Sequence, residues 1–227
     1  MKSIIFREEY GLILGWVLAT SIGVVLSEEF LTIPILNAIG LIFHLDWYRL
    51  SSFTTVLASE VTTGILVGAL QWLILRTYIK HNSWWIFVTP LGMVLGTYIS
   101  RFALRIADDH FYLLGNSWSI ALWLSRFLYG VIIGSSQWLV LQKSVSKSWT
   151  WLIANGISWS LAITISTEFI RPSIYGYFGI STTPYIFFNT YYEIIIYSSL
   201  GIVVGIITGI TLCWLLKQQS VTVQTAA

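Results

Sequence analysis

Three stretches of this chain carry one helical stripe. Residues 64–75 read GILVGALQWLIL, residues 130–141 read GVIIGSSQWLVL, and residues 201–212 read GIVVGIITGITL. The shared pattern is Gly-x3-Gly-x2-Gln-Trp-Leu-x-Leu, with Thr208-Gly209 in place of Gln-Trp in the third copy. Their starts lie 66 and 71 residues apart. A repeat at this spacing constrains the fold before any single residue is read. The setting of the stripe narrows the choice further. Of the 227 residues, 56% are hydrophobic and 10% charged, against the roughly 25% charged residues of soluble domains. The apolar residues gather into runs long enough for the ~20-residue helix that a hydrocarbon core demands. The expected fold is therefore all-α, a polytopic membrane protein.

Six spans are predicted, at 10–30, 53–76, 83–104, 118–142, 148–168 and 190–216. Spans two, four and six hold the stripe. Spans one, three and five hold a second pattern, Trp-x6-Gly-x3-Gly/Ser, as Trp16, Gly23, Ser27; Trp85, Gly92, Gly96; and Trp149, Gly156, Ser160. The repeat unit is then a helical hairpin used three times in tandem: residues 8–78, 83–145 and 148–218 of a single membrane domain. Each unit has an even number of spans, so the three are parallel about an axis along the membrane normal. All five lysines, with Arg7 and Arg76, fall on the side of the termini and the two short turns at 77–82 and 143–147. The positive-inside rule places both termini in the cytoplasm. On the other side, residues 31–45 are too short to span. Residues 175–192 are expected to form an aromatic outer loop on the headgroups.

Residues three and four apart share a helix face, so Glu60, Gly64, Gly68 and Gln71 line one stripe. Its counterparts are Arg126, Gly130, Gly134 and Gln137, then Tyr197, Gly201, Gly205 and Thr208, with Glu193 one turn further out. The glycines allow close helix packing, where lipid supplies no hydrophobic drive between helices. Gln71, Gln137, Thr208 and Asn155 are candidates for interhelical hydrogen bonds or for the lining of a solute path. Charges inside a membrane are costly and face interiors or cavities. Glu60 and Arg126 are therefore the leading candidates, expected to pair across the axis with Tyr197 as third member. Snorkelling to water is the expectation for Arg101, Glu168 and Glu193. Pro90 is expected to bend its helix.

No metal, haem or other cofactor is expected. His44, His81 and His110 are assigned to three separate loops, with no His-x3-His or Glu-x2-His spacing. The only cysteine, Cys213, lies in an apolar run. A Gly-x-Ser-x-Gly elbow and a phosphate-binding loop are both absent from the sequence, and no enzyme is expected. The net charge of +2 gives no argument for nucleic acid. The segments GALQWLILR and GSSQWLVLQ resemble a group of bacterial multi-span proteins, frequent in cyanobacteria, with repeated Gly-rich Gln-Trp helices. That resemblance implies a bacterial cytoplasmic or thylakoid membrane and carries no substrate. Three functions stay open. One is a small-solute transporter or channel along the axis between spans two, four and six. Another is an accessory or scaffold subunit of a larger membrane complex, holding lipid, quinone or pigment. The last is an enzyme acting on a lipid.

Overall fold

The computed structural model describes residues 2–32, 34–35, 38, 52–79, 83–111, 117–173 and 186–225. It describes their side chains apart from 2–8, 52–53, 108–111, 117–119, 186–191 and 219–225. Arg49, His44, His81, most of 31–45 and the loop over 175–185 lie outside the described residues.

Six helices make up the chain so described: α1 Lys2–Val25, α2 Ser52–Leu75, α3 Trp85–Phe111, α4 Ser117–Leu141, α5 Thr150–Thr164 and α6 Ile186–Thr225. Two corrections follow at the helix ends away from the short turns. Residues 186–192, expected in a loop, begin α6, and the His110 backbone sits in the last turn of α3. Both α1 and α5 run on into a π-helical turn, Leu26–Leu31 and Ile165–Ile170. Among the described residues, five helices are long and apolar enough to cross a membrane: Glu9–Leu31, Thr54–Leu75, Trp85–Ala107, Ile120–Leu141 and Tyr192–Gln218. Large apolar side chains such as Leu14, Leu18, Phe87, Leu91, Ile206 and Ile210 face outward, while Thr20, Gln71, Thr89, Gln137 and Thr208 are buried. Apolar outside and polar inside is the arrangement of a helical, multi-pass membrane protein.

Each helix packs on the next in chain order, and α6 returns to α1, so the bundle closes into a ring. The stripe glycines draw its seams. A Cβ on Gly64 would stand 2.2 Å from Pro90 Cα, one on Gly130 2.3 Å from the Asn155 carbonyl oxygen, and one on Gly201 2.4 Å from Ser21 Cα. One turn further, Gly68, Gly134 and Gly205 meet Ile86, Leu152 and Val17 in the same way. Only a hydrogen fits at the first three positions. These stripes close α2 on α3, α4 on α5, and α6 on α1. Glycines of the odd-numbered helices close two other seams: a Cβ on Gly92 would stand 3.0 Å from Ile133 Cα, and one on Gly23 2.9 Å from Val67 Cα.

At the level of the short turns the ring is filled. Trp16, Trp85 and Trp151 form a triangle of edge-to-face rings with centroids 6.0, 6.0 and 5.9 Å apart. All three are at most 1% exposed. Leu75, Leu141, Leu212 and Leu215 pack around them. The third member corrects the sequence pattern. Trp149 is 57% exposed, and Trp151, two residues on and nearly opposite on the helix, points to the axis.

The indole N–H groups explain the Gln-Trp stripe. Trp85 donates to Gln71 Oε1 at 3.1 Å, and Trp151 to Gln137 Oε1 at 3.0 Å. The same glutamines donate through Nε2 to Thr20 at 3.0 Å and Thr89 at 3.1 Å. Each glutamine so ties its helix to both neighbours. In the third place Thr208 accepts from Trp16 at 3.0 Å but has no amide to pass on. Asn155, at the position of Thr20 and Thr89, donates as they do to the tryptophan carbonyl of its own helix, but receives no amide from Thr208. A residual void among Gln71, Gln137, Asn155 and Thr208 measures about 10 Å³, at most one water's worth.

Candidate functional site

Away from the short turns the ring opens. A cavity of about 460 Å³ lies there, with Met93 and Trp159 among its lining residues. Both also line the small void beside the tryptophan triangle, so these two side chains separate the spaces. All six helices and the first π turn contribute walls. Val24 and Glu28 come from α1 and its π turn, Glu60 and Thr63 from α2, and Thr97 and Arg101 from α3. Ser125, Arg126 and Tyr129 come from α4, Trp159 from α5 and Tyr197 from α6.

Glu60, Arg126 and Tyr197 therefore line one cavity, but the expected ion pair is not formed. Glu60 accepts from Thr97 through Oε1 and from the Tyr129 hydroxyl through Oε2 at 3.0 Å. Arg126 turns to α5: Nη1 donates to Thr164 at 2.9 Å, and Nη2 to Thr167 at 3.1 Å and Glu168 at 2.8 Å. The reason is that other partners meet each charge. Glu60 reaches α3 through Thr97 and α4 through Tyr129, while Arg126 reaches α5 and its π turn. Glu168, expected to snorkel alone, is the partner of Arg126. Glu193 stands outside the cavity lining and accepts from Arg171 at 3.1 Å. Gln71, Gln137, Asn155 and Thr208 belong to the closed half, where the tryptophans and threonines occupy their polar groups.

Glu28 was no leading candidate from the sequence, yet it lies in the cavity wall, its Oε1 accepting from Ser59 at 2.7 Å and Thr63 at 2.8 Å. The π turn that carries it inserts one residue into the helix and re-aims the side chains there, a feature common at functional sites. The signal was present in the sequence. Leu26–Leu31 reads LSEEFL and Ile165–Ile170 reads ISTEFI, one pattern at the two π turns. In both the serine is buried and bonds to a neighbouring helix: Ser27 with Thr63 at 2.7 Å and Ser166 with Ser199 at 3.0 Å. The first turn supplies Glu28 to the cavity, and the second supplies the carboxylate that holds Arg126. Tyr129 directly precedes stripe residue Gly130 and packs edge-to-face on Trp159 at 5.2 Å.

The electrostatics are lopsided. Among the described residues, Glu28 and Glu60 receive hydrogen bonds only from neutral hydroxyls and lie within 4 Å of no cation. Arg101, one turn beyond Thr97 on α3, has neither an ion-pair nor a hydrogen-bond partner among the described residues. No group of three metal-ligating side chains occurs among the described residues. The arrangement suits the binding of a polar or charged small molecule. Comparison with known protein families, with characterised proteins and with solved structures finds no match to this chain.

Proposed function

We propose that this chain is a small-solute carrier, built from three tandem helical hairpins whose six spans surround a binding cavity open to the outer face. The observation that carries the reading is the division of the ring. One half holds a cavity of about 460 Å³ lined by charged and hydroxyl groups, within the size range of small-molecule sites. The other half is sealed by three tryptophans. A channel needs a continuous path, whereas a carrier needs a site closed on one side at a time. A packed accessory subunit needs no cavity and draws less support. The helical run Thr150–Ile170 serves as the fifth span, with its last turn widened to π geometry. The excess of lysine and arginine at the short turns supports cytoplasmic termini. The repeated Gln-Trp stripe supports kinship with the bacterial multi-span proteins noted above and hence a bacterial membrane.

The test is thiol accessibility in a Cys213→Ser background. Ser125→Cys in the cavity wall is expected to react with a membrane-impermeant thiol reagent added outside intact cells. Thr77→Cys and Ser144→Cys in the short turns are expected to stay unlabelled until the cells are opened. A Ser125→Cys protein that folds but never labels from outside would end the carrier reading. Labelling at the turns from outside would invert the orientation.

A further inference from the structure

We infer that the cavity takes a small zwitterion, its ammonium group held inward by Glu60 and Glu28 and its oxyanion held toward the mouth by Arg101. This deepens the carrier reading and rests on it. The inner pole comes first. Two carboxylates line one cavity within a membrane protein, bonded only to hydroxyls of Ser59, Thr63, Thr97 and Tyr129. Charges in such a place are ordinarily paired, and among the described residues neither has a cation within 4 Å. Tyr129, Trp159 and Tyr197 line the same space, and aromatic faces attract ammonium groups. What the pocket lacks there is an organic cation.

The outer pole is Arg101. Arg126 also lines the cavity, but its charge is met by Glu168 and its donors by Thr164 and Thr167. Arg101 has no such partner among the described residues, and guanidinium is a good match for a carboxylate or phosphate. The two poles are ordered along α3. Thr97 touches Glu60, and Arg101 follows four residues later, one turn or about 6 Å outward. A ligand entering from the outer face thus passes the guanidinium first and comes to rest with its ammonium deepest and its oxyanion beside Arg101. Two sources share this chemistry: a free zwitterion from solution, or the headgroup of an ethanolamine phospholipid entering from the outer leaflet.

The experiment measures binding to the purified full chain by calorimetry and by thermal stabilisation. Glycerophosphoethanolamine is the free zwitterion, ethanolamine its cationic half and glycerol phosphate its anionic half. Nanodiscs of phosphatidylglycerol, with and without phosphatidylethanolamine, present the lipid-borne form. The zwitterion is expected to bind at least tenfold more tightly than either half. Glu60→Gln is expected to weaken zwitterion and ethanolamine alike by tenfold or more. Arg101→Gln is expected to weaken the zwitterion by as much and leave ethanolamine unchanged. A response to the free compound supports an aqueous ligand; a response only to phosphatidylethanolamine supports a headgroup. Ethanolamine binding as tightly as the zwitterion, with Arg101→Gln silent, overturns the proposal. So does the absence of any binding by a folded protein. In either case external labelling of Ser125→Cys would leave the carrier reading standing, and its absence would remove both. If Glu60→Gln does not fold, the exposed Arg101→Gln decides alone.

Discussion

Replacing Gln137 tests the logic of the closed half of the ring. Gln137 is 3% exposed, and its amide makes two bonds, accepting from Trp151 and donating to Thr89. In Gln137→Leu the Trp151 N–H, on a side chain 1% exposed, loses its acceptor. A buried donor left unpaired costs about 1–3 kcal/mol. Losing the bond to Thr89 adds about 0.6 kcal/mol, the average for interhelical bonds in a membrane protein, and at most about 1.7 kcal/mol. Thr89 keeps its own bond to the Trp85 carbonyl, so no second orphan arises. The expected loss is about 2–4 kcal/mol. The chain contains its own control, because Thr208 serves as acceptor for Trp16. Gln137→Thr should therefore keep an acceptor near Trp151 and lose only about 1 kcal/mol. Reversible unfolding in mixed dodecylmaltoside and dodecyl sulfate micelles, followed by circular dichroism, reads both values. A leucine variant as stable as the threonine variant would show that the indole bond is not what holds this seam.

Gly130→Ala is expected to cost about 1–3 kcal/mol by overpacking, since its Cβ would meet the Asn155 carbonyl at 2.3 Å. Gly11→Ala, with nothing within 4 Å, should stay within about 0.5 kcal/mol of the parent in the same unfolding assay. A double-mutant cycle on Arg126 and Glu168 should give a favourable coupling, whereas the cycle on Glu60 and Arg126 should give none; the reverse result would restore the axial pair. Trp85→Ala should cost about 3–5 kcal/mol and let an impermeant reagent reach Ser125→Cys from the turn side in inverted vesicles. Unchanged protection there would mean that the tryptophans are not the seal.

The seams were legible because the sequence wrote them three times: a Gly-x3-Gly stripe in register with a glutamine can only be a close-packed helix face. The triangle was half legible. Trp149 and Trp151 are both tryptophans, and only one can face inward. The choice was available, since Trp151 follows Trp85 by 66 residues, the offset that relates Gln137 to Gln71. The pairing of Glu60 was not legible. Equivalent positions in parallel repeats are symmetric about an axis, but symmetry does not say whether they point to it. Thr97 and Tyr129 take the Glu60 carboxylate, and Glu168 takes the Arg126 guanidinium; which partners come within reach is a property of packed backbones. Glu28 was half hidden for a related reason: the LSEEFL and ISTEFI pattern marks the two turns but not their geometry. Its aim depends on a π turn, which shifts the facing of every later residue by about a third of a turn. An i, i+4 reading assumes that no such insertion occurs.

The closing seam between α6 and α1 bears on how the bundle is assembled. Gly201 and Gly205 pack on Ser21 and Val17, Thr208 receives the Trp16 indole across 192 residues of sequence, and Lys217 meets Glu9 at 2.7 Å. The other seams join helices that emerge from the ribosome one after another and can form at once. This one cannot. While α2 to α5 are being made, Trp16 holds an indole N–H whose acceptor does not yet exist, and the groove over Ser21 stands vacant. Helix α1 must therefore wait in the bilayer with a polar group unmet, or be sheltered by lipid or an insertase. Ring closure is the slow, long-range step of folding. A chain joined instead across this seam and opened at the 77–82 turn would make that contact early and leave another seam to wait.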